Sequence, residues 1–354
     1  MADTQAILDA LRPVQDPELQ KSLVELNMIR NVTVTDGIAK FTLVLTTPAC
    51  PLKEFIVEDC KKAVLPLDGI ESVEVEVTAE TPSQKNTLPN QQGIDSVKNI
   101  IAVSSGKGGV GKSSVAVNVA VALAQTGAKV GLLDADIYGP NAPNMMGIGE
   151  VELKVDKTGD QDILQPEFNH GVKLVSMAFL IDPDQPVIWR GPMINGIIRQ
   201  FLYQVNWGEL DYLIVDMPPG TGDAQLTMAQ AVPMAGAVIV TTPQTVSLLD
   251  SRRGLKMFQQ LGVNLLGIVE NMSYFIPPDM PDKQYDLFGS GGGEKTAKEL
   301  DVDLLGCVPL EIALREGGDN GTPIVIAQPD SASAKALVNI AKAIAAKVSV
   351  AALT

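Results

Sequence analysis

A glycine-rich turn between an apolar segment and a helical segment constrains this chain more than any other feature of its sequence. The segment KNIIAVSS, residues 98–105, is followed by GKGGVGKS and then by SVAVNVAVALAQ. The spacing G-x-x-x-x-G-K-[ST] between a strand and a helix lets backbone N–H groups and the positive end of the helix face phosphate oxygens. The sequence therefore predicts a phosphate-binding loop followed by a helix over 112–126.

Apolar segments alternate with helical segments from Val97 onward. Near-continuous apolar strands separated by helices are typical of a mostly parallel α/β sheet covered on both faces, whose ligands bind at the carboxyl ends of the strands. The predicted strands are 98–105, 128–136, 172–177, 211–218, 236–243, 263–271 and 302–309, and the predicted helices include 112–126, 193–205, 245–261 and 333–348.

The first eighty residues have their own pattern. Residues 4–12 and 51–65 have helical periodicity, and NVTVT and IAKFTLVLT are joined by Asp36-Gly37, a pair typical of a tight hairpin turn. The strand ESVEVEVT follows, and then a polar stretch with two prolines and no periodicity, as in a linker. The sequence predicts a small α/β domain over 1–80, a linker over 81–94 and a larger domain over 95–354.

The residues of the glycine-rich turn have distinct predicted tasks. Lys112 is expected to reach the β- and γ-phosphates of a nucleotide, and Ser113 to offer its hydroxyl to Mg²⁺. The residues predicted to surround the nucleotide here are Gly106, Lys107, Gly108, Gly109, Val110, Gly111, Lys112, Ser113 and Ser114. Asn271 and Pro309, at the ends of two later strands, are predicted to contact the base.

Carboxylates end two of the apolar strands. Asp134 and Asp136 close LLDAD, and Asp216 closes YLIVD. A lone aspartate at a strand end is as often an ordinary helix cap, but strand-end carboxylates that follow a phosphate-binding loop are placed to serve the metal and the γ-phosphate. We expect Asp134 and Asp216 to join Ser113 at Mg²⁺, and Asp136 to act in catalysis as a switch residue.

A second lysine, Lys107, follows the first glycine of the turn. In this it resembles the deviant Walker A group, which includes cell-division, chromosome-partition and nitrogenase iron proteins. The resemblance implies that Lys107 reaches the nucleotide of a partner subunit, as an arginine finger does. Lys107, Lys112 and Asp136 are thus the predicted catalytic residues of a homodimer, and the alternative is that Lys107 is an ordinary surface lysine.

Charge and cysteine content limit the classes of partner. A net charge of −15 gives no general attraction for nucleic acid or anionic lipid. Three cysteines without a repeated spacing are typical of a reducing compartment. The chain shows no signal-peptide pattern at its start and no uninterrupted apolar run of membrane-spanning length. These features predict a soluble cytoplasmic protein that binds neither nucleic acid nor membrane.

Five segments together resemble the Mrp/ApbC family of iron–sulfur cluster carriers, namely GKGGVGKSSVAVNVA, LDADIYGPNAPNMMG, WRGPM, DYLIVDMPPGTGD and VENMSYF. The resemblance covers roughly residues 95–345, and QDPEL, SLVELNMI and TTPACPLKE resemble the MIP18/DUF59 domain found in front of such carriers. The resemblance implies a P-loop NTPase fold of the deviant Walker A type. It also implies a homodimeric ATPase that binds ATP and Mg²⁺, receives an iron–sulfur cluster from a donor and passes it to client apoproteins.

The resemblance fails at one chemically important place. Carriers of this family usually follow VENMSYF with a C-P-x-C pair that bridges a cluster across the dimer, whereas this chain has Pro277-Pro278-Asp279-Met280. Proline cannot bind iron, and a thioether replaces a thiolate poorly. Cys50 in TTPACPLKE then becomes the candidate cluster ligand, because the start of a helix favours a thiolate. The alternative for Cys50 is a small buried apolar residue, which is also what Cys60 is expected to be.

Two functions from different classes follow. The first is a nucleotide-hydrolysing carrier or assembly scaffold for iron–sulfur clusters, favoured by WRGPM, DIYGPNAP and the cysteine of the first domain. The second is a nucleotide-gated, partition-type or protein-remodelling ATPase that binds no cluster, favoured by the missing C-P-x-C. A metabolic kinase is disfavoured because no acceptor pocket is recognisable in the sequence.

Overall fold

The computed structural model describes residues 3–17, 19–83, 91–137, 139–149, 151–158, 161–180, 191–280 and 282–353. The chain divides into two compact units, one formed by Met1–Pro82 with Ala345–Thr354 and the other by Ser83–Ile344. The C-terminal residues are therefore part of the first unit. Residues 84–90 of the predicted linker, Tyr138 of the segment DIYGPNAP and residues 189–190 of WRGPM lie outside the described residues.

The first unit contains a three-stranded sheet and two helices. Its elements are α1 (Thr4–Leu11), β1 (Gln15–Asp16), β2 (Lys21–Ser22), β3 (Ile29–Thr35), β4 (Ile38–Leu45), α2 (Lys53–Val64) and β5 (Ser72–Ala79). The sheet order is β3-β4-β5, with an antiparallel β3–β4 pair and a parallel β4–β5 pair. Strands β1 and β2 form a separate short antiparallel pair.

The predicted hairpin of the first unit is confirmed. Asp36 and Gly37 join β3 to β4 with φ values of 49° and 77°. Two successive left-handed residues form the turn that matches the twist of a two-residue hairpin, and this accounts for the Asp-Gly pair. Inward-facing residues of β4, including Phe41, pack with residues of α2, including Ile56 and Cys60, into one core. Cys60 is fully buried, as predicted.

The second unit is built on an eight-stranded sheet. The strands of that sheet are β6 (Val97–Ser105), β7 (Val130–Asp134), β10 (Glu167–Asn169), β11 (Val172–Ser176), β12 (Leu210–Asp216), β13 (Met234–Thr241), β14 (Leu265–Phe275) and β15 (Leu304–Leu310), while β8 (Val155–Thr158) and β9 (Gln161–Leu164) form a separate pair. The helices are α3 (Lys112–Gln125), α4 (Ala142–Met145), α5 (Gly191–Tyr203), α6 (Asp223–Ala231), α7 (Thr245–Gln260), α8 (Gly292–Leu300), α9 (Ile312–Asp319) and α10 (Ile324–Ala327), with a short 3₁₀ helix at Met177–Leu180. The last helix, α11 (Ala332–Leu353), belongs to the second unit up to Ile344 and to the first unit from Ala345 onward.

Seven of the eight strands are parallel, which confirms the predicted fold class. The order is β10-β11-β7-β12-β6-β13-β14-β15, and only β10 runs antiparallel to its neighbour. Asp216 lies opposite both Asp134 and Val103 in the register of β12 with β7 and β6. The carboxyl ends of these central strands, where β6 enters the glycine-rich turn, therefore meet at one edge of the sheet.

Strands β8, β9 and β10 are absent from the sequence prediction. They lie between residues 155 and 169 and are only three or four residues long, with few apolar positions. Strands this short show no period-two apolar signal, although Leu164 of β9 is buried in the core. Backbone pairing, Val155 with Leu164 for example, forms the β8–β9 hairpin instead.

Helix α11 is long and apolar enough, by length and composition alone, to cross a membrane. The core helix of a soluble protein passes the same test, and α11 has a buried face that includes Leu337, Ile340 and Ile344. A Cβ added at Gly306 of β15 would lie 2.9 Å from Ile340 Cγ1, so the helix packs directly on the sheet of the second unit. This contact favours the predicted role of a sheet-covering helix.

Candidate nucleotide-binding site

The glycine-rich turn joins the end of β6 to the start of α3 over residues 106–111. Gly106 approaches the backbone of α7 so closely that an added Cβ would lie 2.1 Å from the carbonyl carbon of Asp250. Gly111 has φ 79°, and an added Cβ there would lie 2.1 Å from Asn271 Nδ2. The turn therefore needs glycine at both ends, and Gly109, with φ 78°, needs it for its left-handed backbone. An added Cβ at Gly108 would meet no atom within 4 Å.

Lys112 lies at the centre of a buried charge cluster behind this turn. Its ammonium nitrogen is 2.6 Å from Asp216 Oδ1 and 3.5 Å from Asp136 Oδ2. Burial alone would lower the pKa of Lys112, but Asp216 and, more weakly, Asp136 and Asp134 raise it above its usual value. The lysine is therefore a fixed ammonium at the edge of the sheet where a phosphate would approach the helix.

Asp216 is the carboxylate that lies nearest to the Lys112 ammonium. It is completely buried, and its Oδ2 atom has no hydrogen-bond partner among the described residues. Burial raises the pKa of Asp216, and Lys112 opposes that rise. A buried carboxylate oxygen beside the Ser113 hydroxyl, which lies 3.4 Å from Lys112 Nζ, fits the oxygen ligands that Mg²⁺ prefers.

Asp134 has a different environment, although it ends the neighbouring strand. Its Oδ1 accepts a hydrogen bond from the Asp136 amide at 3.2 Å, and its Oδ2 accepts from the Ala142 amide at 3.2 Å and the Ser176 hydroxyl at 2.9 Å. Burial and the nearby Asp216 raise its pKa to about 7. Asp134 thus holds the loop between β7 and α4. Its role as a ligand of Mg²⁺ stays a prediction, and it would require Asp134 to give up one of these hydrogen bonds.

The described residues contain no group of three or more His, Cys, Asp or Glu side chains that could hold a metal ion. This does not conflict with a magnesium site, because Mg²⁺ in nucleotide-binding proteins is commonly held by one or two protein oxygens together with substrate phosphates and water. Asp216 and Ser113 supply such a pair. The donor set fits Mg²⁺ bound together with a nucleotide rather than alone.

A cavity of about 790 Å³ opens beside the glycine-rich turn. Gly111 and Ser114 line it on the phosphate side, and Asn271 and Pro309, the two residues predicted to contact the base, line it as well. Asn271 Nδ2 donates to the Val110 carbonyl oxygen at 2.9 Å, so the strand end is tied to the turn. The structure brings these five residues together at one site of a size that suits a nucleotide.

Lys107 differs from Lys112 in every contact. It is partly exposed, and none of the hydrogen bonds or ion pairs found in the described part of the chain involves its ammonium group. Its carbonyl oxygen accepts a hydrogen bond from the Ser105 hydroxyl at 2.9 Å, which fixes the backbone but leaves the side chain unengaged. The side chain is available to a group outside its own chain.

Two residues that support the site are missing from the sequence prediction. Ser176 at the end of β11 holds Asp134, and Gln225 of α6 donates to the Ser104 hydroxyl and to the Pro218 carbonyl oxygen. Gln225 thereby fixes the segment that follows Asp216. Both contacts join elements far apart in the chain, and a lone Ser or Gln in an apolar segment gives no sequence signal for such a partner.

None of the three cysteines forms a disulfide, and they lie in separate environments. Cys50 is half-buried in the turn that precedes α2, where its carbonyl oxygen accepts from the Lys53 amide at 3.5 Å, and it packs partly against the core of the first unit. Cys307 of β15 contacts Glu270 Oε1 at 3.8 Å, and burial raises its pKa. The role of Cys50 as a cluster ligand stays a prediction.

Comparison with known proteins places this site in a family. Residues 96–345 match the NUBPL iron-transfer P-loop NTPase family. The chain belongs to that family. Residues 4–77 match a second family, described as iron–sulfur cluster assembly protein. Both the predicted relationship to iron–sulfur cluster carriers and the predicted first domain are confirmed by these matches.

Relatives of this NUBPL-type NTPase carry matching descriptions. It is 77% identical to an iron–sulfur cluster carrier protein of Synechocystis sp. over 353 residues, which is 100% of both chains. It is 44% identical to the iron–sulfur cluster carrier protein of Escherichia coli K12, over 92% of this chain and 87% of the relative. It is 48% identical to the iron–sulfur cluster transfer protein NUBPL of Mus musculus, over 72% and 79%.

Solved structures support the same fold. A nucleotide-binding protein from Archaeoglobus fulgidus in complex with ADP is 40% identical, with a TM-score of 0.57, and the match covers 64% of this chain and 88% of that one. The cell-division ATPase MinD of Pyrococcus furiosus is 26% identical, with a TM-score of 0.50 over 70% and 98%. The NUBPL-type NTPase therefore has the predicted P-loop NTPase fold.

Proposed function

We propose that this chain is a homodimeric ATPase that carries an iron–sulfur cluster and delivers it to client apoproteins. One observation supports this most strongly. In a member of the iron-transfer family, Lys112 meets the buried Asp216 at 2.6 Å, directly behind a glycine-rich turn that opens onto a nucleotide-sized cavity. The Archaeoglobus relative, solved in complex with ADP, supports nucleotide binding by this chain.

The chain's own residues divide the work on ATP. Backbone N–H groups of the glycine-rich turn and the start of α3 hold the phosphates, and Lys112 exchanges its contact with Asp216 for the β- and γ-phosphates. Ser113 and Asp216 would hold Mg²⁺, which when bound neutralises charge on the phosphates. Asp136, already fixed by Lys112 and Asp134, is placed to orient the attacking water.

The proposed need for a second subunit depends on Lys107. We infer that its free ammonium group serves the nucleotide of the partner subunit, so that hydrolysis requires a dimer. Two exposed apolar residues, Val246 and Leu249, lie on the first turns of α7, the helix whose backbone contacts Gly106. Exposed apolar residues next to the glycine-rich turn suit a face that is covered when two copies close over ATP.

Replacement of Lys107 by alanine tests this role. We expect ATP hydrolysis to fall at least about a hundredfold, in the range that a charge supplied in trans provides, with little change in ADP affinity. Lys112→Ala is the matched comparison and is expected to lower both hydrolysis and affinity. Unchanged turnover in Lys107→Ala would overturn the cross-subunit role.

The cargo is assigned to the thiol of Cys50. Pro277 and Met280 stand where the usual cluster-bridging cysteines would be, so the thiolates must come from elsewhere in the dimer. Two copies of Cys50, one from each subunit, would supply two ligands. Cys307 is disfavoured, because burial and the adjacent Glu270 raise its pKa and so disfavour a thiolate.

Anaerobic reconstitution with iron and sulfide tests the carrier role. The expected result is a cluster absorption band in the wild type and in Cys307→Ser, its loss in Cys50→Ser, and transfer of the cluster from the wild type to an apo-ferredoxin. No cluster in the wild type under any condition would favour the second function, a nucleotide-gated protein-remodelling or partition-type ATPase without cargo.

We further propose that the protein works in the reducing cytoplasm and without nucleic acid or membrane. Three cysteines that form no disulfide suit that compartment, and the net charge of −15 disfavours polyanionic partners. Fractionation of cells that express the tagged chain tests this proposal. Recovery of the protein in the membrane pellet would contradict the proposal and would make α11 the first segment to test for membrane association.

A further inference from the structure

Two glycines form a tight seam in the wall of the nucleotide cavity. Gly147 follows α4, Gly321 follows α9, and both line the cavity. A Cβ added at Gly321 would lie 2.3 Å from the Cα of Gly147, and one added at Gly147 would lie 2.7 Å from the carbonyl oxygen of Gly321. Two backbone segments that are remote in sequence therefore touch with no side chain between them.

One tight turn fastens both sides of this seam. His170 and Gly171 join β10 to β11 with φ values of 50° and 80°, and Asn169 pairs with Val172 across the turn. The Asn169 side chain donates from Nδ2 to the Met146 carbonyl oxygen at 2.7 Å, next to Gly147. The turn also binds the other side of the seam.

His170 makes that second contact. Its Nε2 atom lies 3.0 Å from the carbonyl oxygen of Gly321 and donates a hydrogen bond to it. The Asn169 Oδ1 atom accepts from the His170 amide at 2.9 Å, so the two side chains are set by the same rigid turn. Adjacent residues thus hold the α4 side and the α9 side of the cavity wall in contact.

We propose that His170 and Asn169 are positioning residues that fix the base and ribose side of the nucleotide site. The seam lines the cavity together with Asn144 and Leu314, whereas Lys112 and Asp216 do not line it. Loosening the seam would therefore widen the part of the site that holds the nucleoside and leave the phosphate contacts in place. This inference rests on the proposed nucleotide function of the cavity.

Comparison of two ligands in the full-length protein tests the positioning role. In His170→Ala we expect ADP to bind about three- to tenfold more weakly, the range for loss of one neutral hydrogen bond, while inorganic tripolyphosphate, which lacks base and ribose, binds as in the wild type. His170→Gln keeps a nitrogen donor at similar reach and is expected to restore most of the ADP affinity. Phe168→Ala alters an exposed residue of the same hairpin and serves as the control.

A measurement without nucleotide separates this inference from the proposed function. In His170→Ala, amide hydrogen exchange should speed up in the segments 142–149 and 317–322, and not in Phe168→Ala. Unchanged exchange there, unchanged ADP affinity, or an equal loss of ADP and tripolyphosphate binding would each overturn the positioning role. If the wild-type protein binds no ADP, the proposed nucleotide function is wrong. The hydrogen-exchange comparison then still tests whether His170 holds the two sides of the seam together.

Discussion

Lys112 is expected to stabilise the nucleotide-free protein as well as to bind phosphate. It is the cation 2.6 Å from Asp216 and 3.5 Å from Asp136, while Asp134 and Asp216 are both fully buried. Lys112→Met keeps the apolar stem and removes the charge, so buried carboxylates lose their compensating ammonium. Removal of one partner from a buried ion pair costs about 3–5 kcal/mol of unfolding free energy.

The loss of unfolding free energy in Lys112→Met should be larger at neutral pH than at acidic pH. Burial and Asp216 raise the pKa of Asp134 to about 7, well above the value of roughly 3.9 for an unfolded chain. The native state therefore binds more protons than the unfolded state between these two values, and the contribution of Asp134 to stability falls as pH rises through that window. Without the positive charge of Lys112 the buried carboxylates hold protons more tightly. The loss of unfolding free energy in Lys112→Met should therefore become smaller as the pH is lowered.

Urea unfolding followed by tryptophan fluorescence measures this deficit. Trp207 is buried in the core of the second unit and so reports its unfolding. Lys107→Met is the matched control, because this neighbouring lysine lacks the buried ion pair and a surface substitution changes stability by less than about 0.5 kcal/mol. A Lys112→Met deficit no larger than that of Lys107→Met at neutral pH would refute the reasoning.

Three further predictions follow from single contacts. Ser176→Ala removes the hydroxyl that donates to Asp134, and we expect it to lower kcat for ATP about tenfold with little change in ADP affinity. Ser176→Thr keeps a hydroxyl and should restore kcat. A loss of ADP affinity as large as the loss of kcat would contradict a positioning role for Ser176. Burial and a neighbouring aspartate raise the pKa of Cys60 to about 12, so iodoacetamide at about pH 8 should label it only after denaturation, as mass spectrometry would show. Gly106→Ala places a methyl group 2.1 Å from the backbone of α7 and should cost at least about 1–3 kcal/mol in urea unfolding, whereas Gly108→Ala, which meets no atom, should cost far less.

The parts of the fold that were predictable are those in which one local rule determines the structure. The glycine-rich turn, the Asp36-Gly37 hairpin and the apolar parallel strands each have a sequence pattern with a direct physical cause. The short, mostly polar strands β8 to β10 have none, since their backbone pairing leaves no pattern in the sequence. Yet the turn between β10 and β11 carries His170, to which the sequence assigns no role.

The candidate site also has features that the sequence predicts and features that it does not. Sequence order places Asp134 and Asp216 at neighbouring strand ends and predicts the same metal role for both. The structure distinguishes them, because Ser176 and two backbone amides occupy Asp134 while one oxygen of Asp216 has no partner among the described residues. Which carboxylate is free depends on contacts from β11 and α4, and these contacts leave no trace in the spacing of the acidic residues.

The occupied carboxylate connects the two ends of the nucleotide site. Asp136, which contacts Lys112, donates its amide to Asp134, and Asp134 also binds the amide of Ala142 at the start of α4. Helix α4 ends at the seam where Met146 accepts from Asn169. A displacement of Lys112 toward phosphate therefore acts on the same hydrogen-bonded chain that ends at the base-side wall. If this chain transmits the displacement, phosphate binding alone should change amide exchange at 142–149 in the wild type, and Ser176→Ala should weaken that response.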